Sequence, residues 1–375
     1  MENLRRIFRP QPFSKLLLEM KESIDDMLDL SFAAILFGNN EIIANVQDLN
    51  TTIDDKRYGA LLSLTTGSRD RDDAIEMLIL FDVIEFLDNI AQGAVEFLKV
   101  SETGLNEYVA RAIADIGYAI TSYEIKEKSP LLVDEFEEKY PEVDIIGVWK
   151  NGKLITKNID AVSLRHGDKV LLSGPLEAVS TFAEPKIPAV ESCPIMQVIK
   201  DLIDVAYSLP SLAFAYMASP EESLLNVMKS LCELVDAAEK KIAEMFARKE
   251  IEITEKLFLG IIHLLRGTVH IKNAIEQLLF GFSRKIEMHE IIAKVLNEAE
   301  NITLFVKFTD EMLNSVARTP RDFRRIGIDL ITATVDGQWR RLLPPGYNFK
   351  PGDRMVVYGH KKRLYKLIKR ESEED

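Results

Sequence analysis

Asp82, Glu85 and Asp88 stand at i, i+3 and i+6, a spacing that can align three carboxylates on one face of a helix. Oxygen donors of this kind suit iron, magnesium or calcium, and a solvated row of acids is the plain alternative. The opposite chemistry stands near the C-terminus, where Arg340 and Arg341 follow the turn Asp336-Gly337. Guanidinium groups capture phosphate through paired hydrogen bonds, so this point suits an anionic small molecule such as a nucleotide second messenger. His263 and His270 lie seven residues apart on one helix face. Two imidazoles two turns apart cannot chelate one ion alone, and a core or interface position is expected for both.

No catalytic constellation can be assembled. The sequence holds no G-x-S-x-G elbow and no Cys or His cluster with zinc spacing. Neither G-x-G-x-x-G after a strand nor G-x-x-x-x-G-K-S/T occurs, so no NAD or ATP site is expected and the chain reads as a non-enzyme. Cys193, in a linker, and Cys232, in a helical pattern, are the two cysteines; they point to a reduced, cytoplasmic compartment and not to a redox or metal pair.

The 375 residues leave room for two to four domains, and 47% hydrophobic with 29% charged residues is ordinary for a globular protein. Apolar runs such as residues 30–37 and 209–218 fall short of the roughly 18 residues that span a bilayer, so no transmembrane segment is expected. The basic N-terminal residues lack an apolar core and cleavage site, and no secretory signal is expected. The net charge of −13 argues against a nucleic-acid binder. It is unevenly placed: residues 144–185 hold five acids and five bases, whereas residues 329–370 hold ten bases and three acids. A solvated helix face closed by the acidic tail ESEED is the simple reading of that excess, with an anionic ligand, partner or lipid as alternatives.

The elements that must position these groups come twice. Residues 144–174, DIIGVWKNGKLITKNIDAVSLRHGDKVLLSG, return as residues 329–359, DLITATVDGQWRRLLPPGYNFKPGDRMVVYG, at a constant offset of 185. In each, a β-branched run reaches Asn151-Gly152 or Asp336-Gly337, steps that supply the positive φ angles of a hairpin turn. Gly167-Asp168 and Gly352-Asp353 then form a corner in which the Asp accepts backbone N–H bonds. A buried strand of four to five residues, a Gly stop at Gly174 or Gly359 and a short amphipathic helix follow. Before each copy the spacing is helical. Breaks at Gly38-Asn39-Asn40 and Gly67-Ser68-Arg69-Asp70 define three helices in residues 12–98, with Asp72 or Asp73 to cap the third. Three more are expected in residues 194–283, the middle one starting at Ser219-Pro220. Pro12 falls on Pro194 at an offset of 182, and a short helix around Glu107 falls on one around Glu290 at 183. The predicted fold is α+β: two tandem modules, each a three-helix bundle followed by a small α/β domain.

The strand, X-Gly turn, Gly-Asp corner, strand, Gly and short helix resemble the C-terminal regulatory domain of potassium-conductance regulators, the TrkA-C or RCK-C domain. The helical parts are similar to PhoU-like domains, through the acidic stretches Ile53-Asp54-Asp55 and residues 82–88. The chain thus resembles an archaeal PhoU-like/TrkA-C fusion with the module duplicated. Its expected domains are a PhoU-like bundle in residues 1–100, a TrkA-C-like domain in 101–184, a linker in 185–192, a second bundle in 193–283, a second TrkA-C-like domain in 284–370 and an acidic tail in 371–375. The resemblance implies a non-enzymatic cytoplasmic regulator of cation, in particular potassium, transport. Its TrkA-C-like domains would bind a small ligand or a membrane transporter or channel, and the copies would pair within one chain as a pseudo-dimer or between chains. It also implies an alternative, a metal-binding adaptor in phosphate uptake signalling, with Asp54, Asp82, Glu85 and Asp88 as ligands in the first bundle. Here the i, i+3, i+6 spacing departs from the i, i+4 pattern of that family, and the second bundle has almost no acids at the aligned place.

Overall fold

Apolar residues recur every three or four positions from Leu17 through Met20, Ile24, Met27, Leu30 and Ala34, and they form the buried face of α1 (Phe13–Phe37). The computed structural model describes residues 11–67, 71–190, 193–248, 254–283, 289–309, 312, 318–341, 343–344 and 346–369. Gly38 ends α1 in the left-handed region at φ 58°, its N–H donating to Ala34 O at 2.8 Å. Then come α2 (Asn40–Gly67), α3 (Arg71–Leu98), a 3-10 turn (Lys99–Glu102) and α4 (Asn106–Asp115). Most of the second expected break, residues 68–70, and the side chains of Asp72 and Asp73 lie outside the described residues.

The first α/β copy runs β1 (Tyr118–Glu124), β2 (Leu131–Leu132), α5 (Val133–Lys139), β3 (Asp144–Lys150), β4 (Lys153–Ile155), a 3-10 turn (Ile159–Ala161), β5 (Ser163–Leu164), β6 (Lys169–Pro175) and α6 (Leu176–Phe182). Four strands make an antiparallel sheet in the order β1-β6-β3-β4. Asn151 and Gly152, at φ 51° and 74°, make the tight turn between β3 and β4. Val148, Val170 and Leu172 bury one sheet face under Phe136 of α5, and Phe182 of α6 packs there too. Each such fully buried side chain contributes roughly 1.5–3 kcal/mol.

Helices resume with α7 (Pro194–Ala218), α8 (Glu222–Ala247), α9 (Glu255–Ser283) and α10 (Glu290–Glu298). Ser219-Pro220 does not start α8. Ser219 instead closes α7 by donating its N–H to Ala215 O at 2.9 Å, and Glu221 precedes the first helical residue. The second copy follows as β7 (Asn301–Lys307), α11 (Pro320–Arg325), β8 (Ile328–Val335), β9 (Gln338–Arg340), β10 (Arg354–His360) and α12 (Lys361–Lys369).

Its sheet order, β7-β10-β8-β9, repeats the first strand for strand. The register repeats as well. Asp144 faces Ser173 and Ile145 faces Leu172, just as Asp329 faces Tyr358 and Leu330 faces Val357. Both sheets then carry a bulge at the same place, passing over Ile146 in one and Ile331 in the other. β6 and β10 are seven residues long and continue through Gly174 and Gly359, so neither glycine is a stop. Their role is close approach: a Cβ at Gly174 would lie 2.9 Å from Glu142 O, and one at Gly359 would lie 2.8 Å from Gly327 O.

The chain divides into two compact units that are not its sequential halves. Residues 1–106 with 192–300 make one, and residues 107–191 with 301–375 make the other. The first holds both sets of three helices. There α3 crosses α9 so closely that a Cβ at Gly93 would lie 2.7 Å from Gly267 O, and Phe86 meets Phe214 edge-on at 5.6 Å. The second holds both four-stranded sheets and the short β2-β5 pair.

Candidate functional site

Within the second unit, α5 and α11 occupy corresponding places and bury corresponding aromatics, Phe136 and Phe323. Their polar faces carry opposite charge. In α5 that face is Asp134, Glu135, Glu137 and Glu138; in α11 it is Arg321, Arg324 and Arg325, behind a cap in which Thr319 Oγ1 accepts the Asp322 N–H. Arg321 Nη2 meets Glu177 Oε1 at 2.6 Å, Arg363 Nη1 of α12 meets Asp144 Oδ1 at 3.2 Å, and Lys362 Nζ stands 3.9 Å from Asp134 Oδ1. Each of these pairs joins the basic copy to the other. The backbones touch too: Gly327, at φ 70°, lies where a Cβ would come within 1.6 Å of Pro141 O.

The centre of this contact is a carboxylate–guanidinium cluster. Glu137 Oε1 accepts the Ile145 N–H at 2.7 Å, and Arg363 Nη2 donates to Glu137 O at 3.5 Å. Burial and the neighbouring Asp144 charge push the Glu137 carboxyl up to about 8, against the opposing pull of Arg363. Burial and the same Asp144 charge push Asp329 up to about 6, with Arg324 and Arg363 working the other way. Three carboxylates therefore face two guanidiniums. The sequence-level charge asymmetry pointed at the basic copy, but not at Arg321 and Arg324; comparing RDFRR with DEFEEK in register would have found them.

Arg340 lies exposed on β9, at the edge of its sheet, where its carbonyl accepts from Thr332 Oγ1 at 3.0 Å. Arg341 follows it and is half-buried. In the first bundle Glu85 and Asp88 share one guanidinium, while Asp82 is bonded elsewhere. Glu85 Oε1 accepts from Arg57 Nη2 at 2.7 Å and Nε at 3.0 Å, and Asp88 Oδ2 stands 3.6 Å from the same Nε. Asp82 accepts from Gln277 Nε2 of α9 at 3.2 Å. Burial raises the Asp88 carboxyl despite Arg57, and the charges of Asp54 and Glu85 add to the rise. A guanidinium already lies where a cation would sit, so this arrangement as it stands does not suit a metal. Among the described residues no group of three or more Asp, Glu, His or Cys is arranged to hold one.

The remaining sequence candidates are structural. Asp168 accepts the Arg165 N–H at 2.6 Å and pairs with Lys150, and Asp353 accepts the Lys350 N–H at 2.9 Å. His263 Nδ1 lies 3.1 Å from Glu96 Oε2 across the α3–α9 contact. Cys232 is buried, which pushes its thiol up to about 12. No helix among the described residues is long and apolar enough to cross a membrane.

No family model matches this chain, and no curated protein matches it. Solved structures of the GsuK RCK domain, of the GsuK channel bound to NAD and of the GsuK channel align with 77% of it at 11% identity. They are covered over 78%, 65% and 65% of their own length, with TM-scores of 0.18, 0.18 and 0.17. Similarity this weak carries no argument about what the chain binds.

Proposed function

We propose that the chain is a non-enzymatic regulatory protein of the PhoU-like/TrkA-C kind, linked to potassium or other cation transport, in which the duplicated α/β copies sense a small anionic ligand. What supports the reading is the contact between those copies. It includes ion pairs around half-buried carboxylates, and such polar contacts are more readily rearranged than an apolar core. A ligand that binds one arrangement of the copies better than another shifts their balance, and a membrane transporter or channel would read the shift. Arg340 and Arg341 are the anion-capturing groups in this reading. Calorimetric titration with cyclic dinucleotides and adenine nucleotides tests it, on the intact chain and on an Arg340→Ala, Arg341→Ala variant. Binding lost in the variant supports the site, equal binding by both proteins removes it, and no binding by either removes anionic-ligand sensing.

The rival reading, a metal-binding adaptor in phosphate signalling, has one observation in its favour. Asp88 Oδ1 is a buried carboxylate oxygen without a hydrogen-bond partner among the described residues. Elemental analysis of the purified protein decides it: stoichiometric metal, lost on Asp82→Ala and Glu85→Ala substitution, would displace the ligand-sensing proposal.

A further inference from the structure

We propose that the contact between the two α/β copies is proton-linked: a proton held by Glu137 or Asp329, beside the charge of Asp144, keeps the copies together, and its release loosens them. This goes beyond the ligand reading and needs no nucleotide.

The three carboxylates come from three elements, α5, β3 and β8. The cations that face them are Arg363 of α12, bonded to Asp144 and to the Glu137 carbonyl, and Arg324 of α11, which packs against Gly117. Asp160, in the 3-10 turn against α5, adds a further negative charge on the Glu137 side. Lys362 is directed to Asp134 and Arg321 to Glu177, both on the rim. Glu137, Asp144 and Asp329 set three negative charges against the two guanidiniums in a half-buried interface, and Asp160 adds to the excess. A proton on one of these carboxylates reduces that excess. Glu137 can take it, because Oε1 alone receives the Ile145 N–H and Oε2 is left to carry the hydrogen.

The sign follows from linkage. Glu137 and Asp329 are acids whose folded values, about 8 and about 6, lie above the ordinary 4.5 and 3.8. The folded protein therefore binds more protons than the unfolded chain in that range. The resulting stability is full below the ordinary carboxylate values and is lost as pH rises through about 6 and then about 8.

Trp149 and Trp339 are the two tryptophans of the chain, and both lie in the unit that contains the two sheets. Urea unfolding of the intact chain, followed by tryptophan fluorescence between about pH 5.5 and about pH 9, reads that unit directly. The expected result is a midpoint that falls as pH rises. Glu137→Gln keeps the acceptor for Ile145 and cannot ionise, so its midpoint is expected to depend less on pH and to exceed the parent's at the alkaline end. A parent midpoint that is flat across the range, or a Glu137→Gln variant with the parent's slope, overturns the proposal. Should that variant fail to fold, Asp144→Asn serves instead. The Asp144 charge acts on Glu137 more strongly than Arg363 does, so its removal is expected to move the fall to lower pH; an unmoved profile or a shift to higher pH overturns the proposal.

Discussion

Asp144 and Asp329 hold the same position in the two copies, yet Asp144 is bonded to Arg363 at 3.2 Å while Asp329 is pushed up to about 6 by burial and by Asp144 itself. The duplication is thus symmetric in backbone and asymmetric in charge. One copy supplies most of the acids at the contact and the other supplies the bases, which makes it a complementary pairing and not a merely repeated one.

Arg363→Ala leaves Asp144 and the Glu137 carbonyl without their cation. Arg363 is 14% exposed but Asp144 is 46% exposed, so solvent screens part of the pair. The expected loss is on the order of 1–2 kcal/mol, below that of a fully buried pair. Lys362→Ala breaks only a 3.9 Å contact between exposed groups and is expected to cost less than about 0.5 kcal/mol. Urea midpoints by tryptophan fluorescence rank the two.

Gly327→Ala is expected to be the more damaging of two glycine substitutions. Its Cβ would collide with Pro141 O, a backbone atom of the other copy, and the positive φ adds strain. A loss of roughly 3 kcal/mol or more, with increased amide exchange in residues 140–147, is expected. At Gly337 the φ is +80° but nothing lies within 4 Å. Alanine there should cost only the roughly 1–2 kcal/mol of left-handed strain.

Asp168→Ala and Asp353→Ala each remove the acceptor of a backbone N–H at the Gly-Asp corner. Each is expected to cost roughly 1 kcal/mol, with Asp168 the larger because it also pairs with Lys150. Asparagine at either position keeps a carbonyl acceptor and should recover most of the loss.

The helical unit should respond to acid in the opposite sense from the copy contact. Burial of Glu96 opposes its ionisation, but hydrogen bonds from Lys99 and His263 outweigh that and hold the carboxyl below its ordinary 4.5. Its contribution is present above that value and lost as pH falls through the lower folded one. Glu96→Gln should therefore flatten the acid limb of thermal unfolding followed by far-ultraviolet circular dichroism, while leaving the alkaline limb seen by the tryptophans in place.

Thiol titration should find one fast-reacting cysteine in the native chain. Cys232 is buried, its thiolate disfavoured up to about 12, whereas Cys193 is half-buried in a connecting segment. Both should react in denaturant, and two fast thiols in native buffer would contradict the burial of Cys232.

The local parts of this protein were legible in its sequence. Helical spacing marked the two sets of three helices, and Asn151-Gly152 with Asp336-Gly337 marked hairpins that form at positive φ. The offset of 185 carried over into matching strand register and a matching bulge, because register follows from turn geometry and alternation, which are encoded residue by residue. Tertiary structure alone decided which elements meet. Arg57 turns to Glu85 and Asp88, so carboxylates that share a helix are drawn to a guanidinium from another. Arg363 meets Asp144 across 219 positions of chain. The net charge of each stretch told of an acid–base imbalance, but electrostatic attraction depends on distance and burial, and those are set only when the two copies pack into one unit.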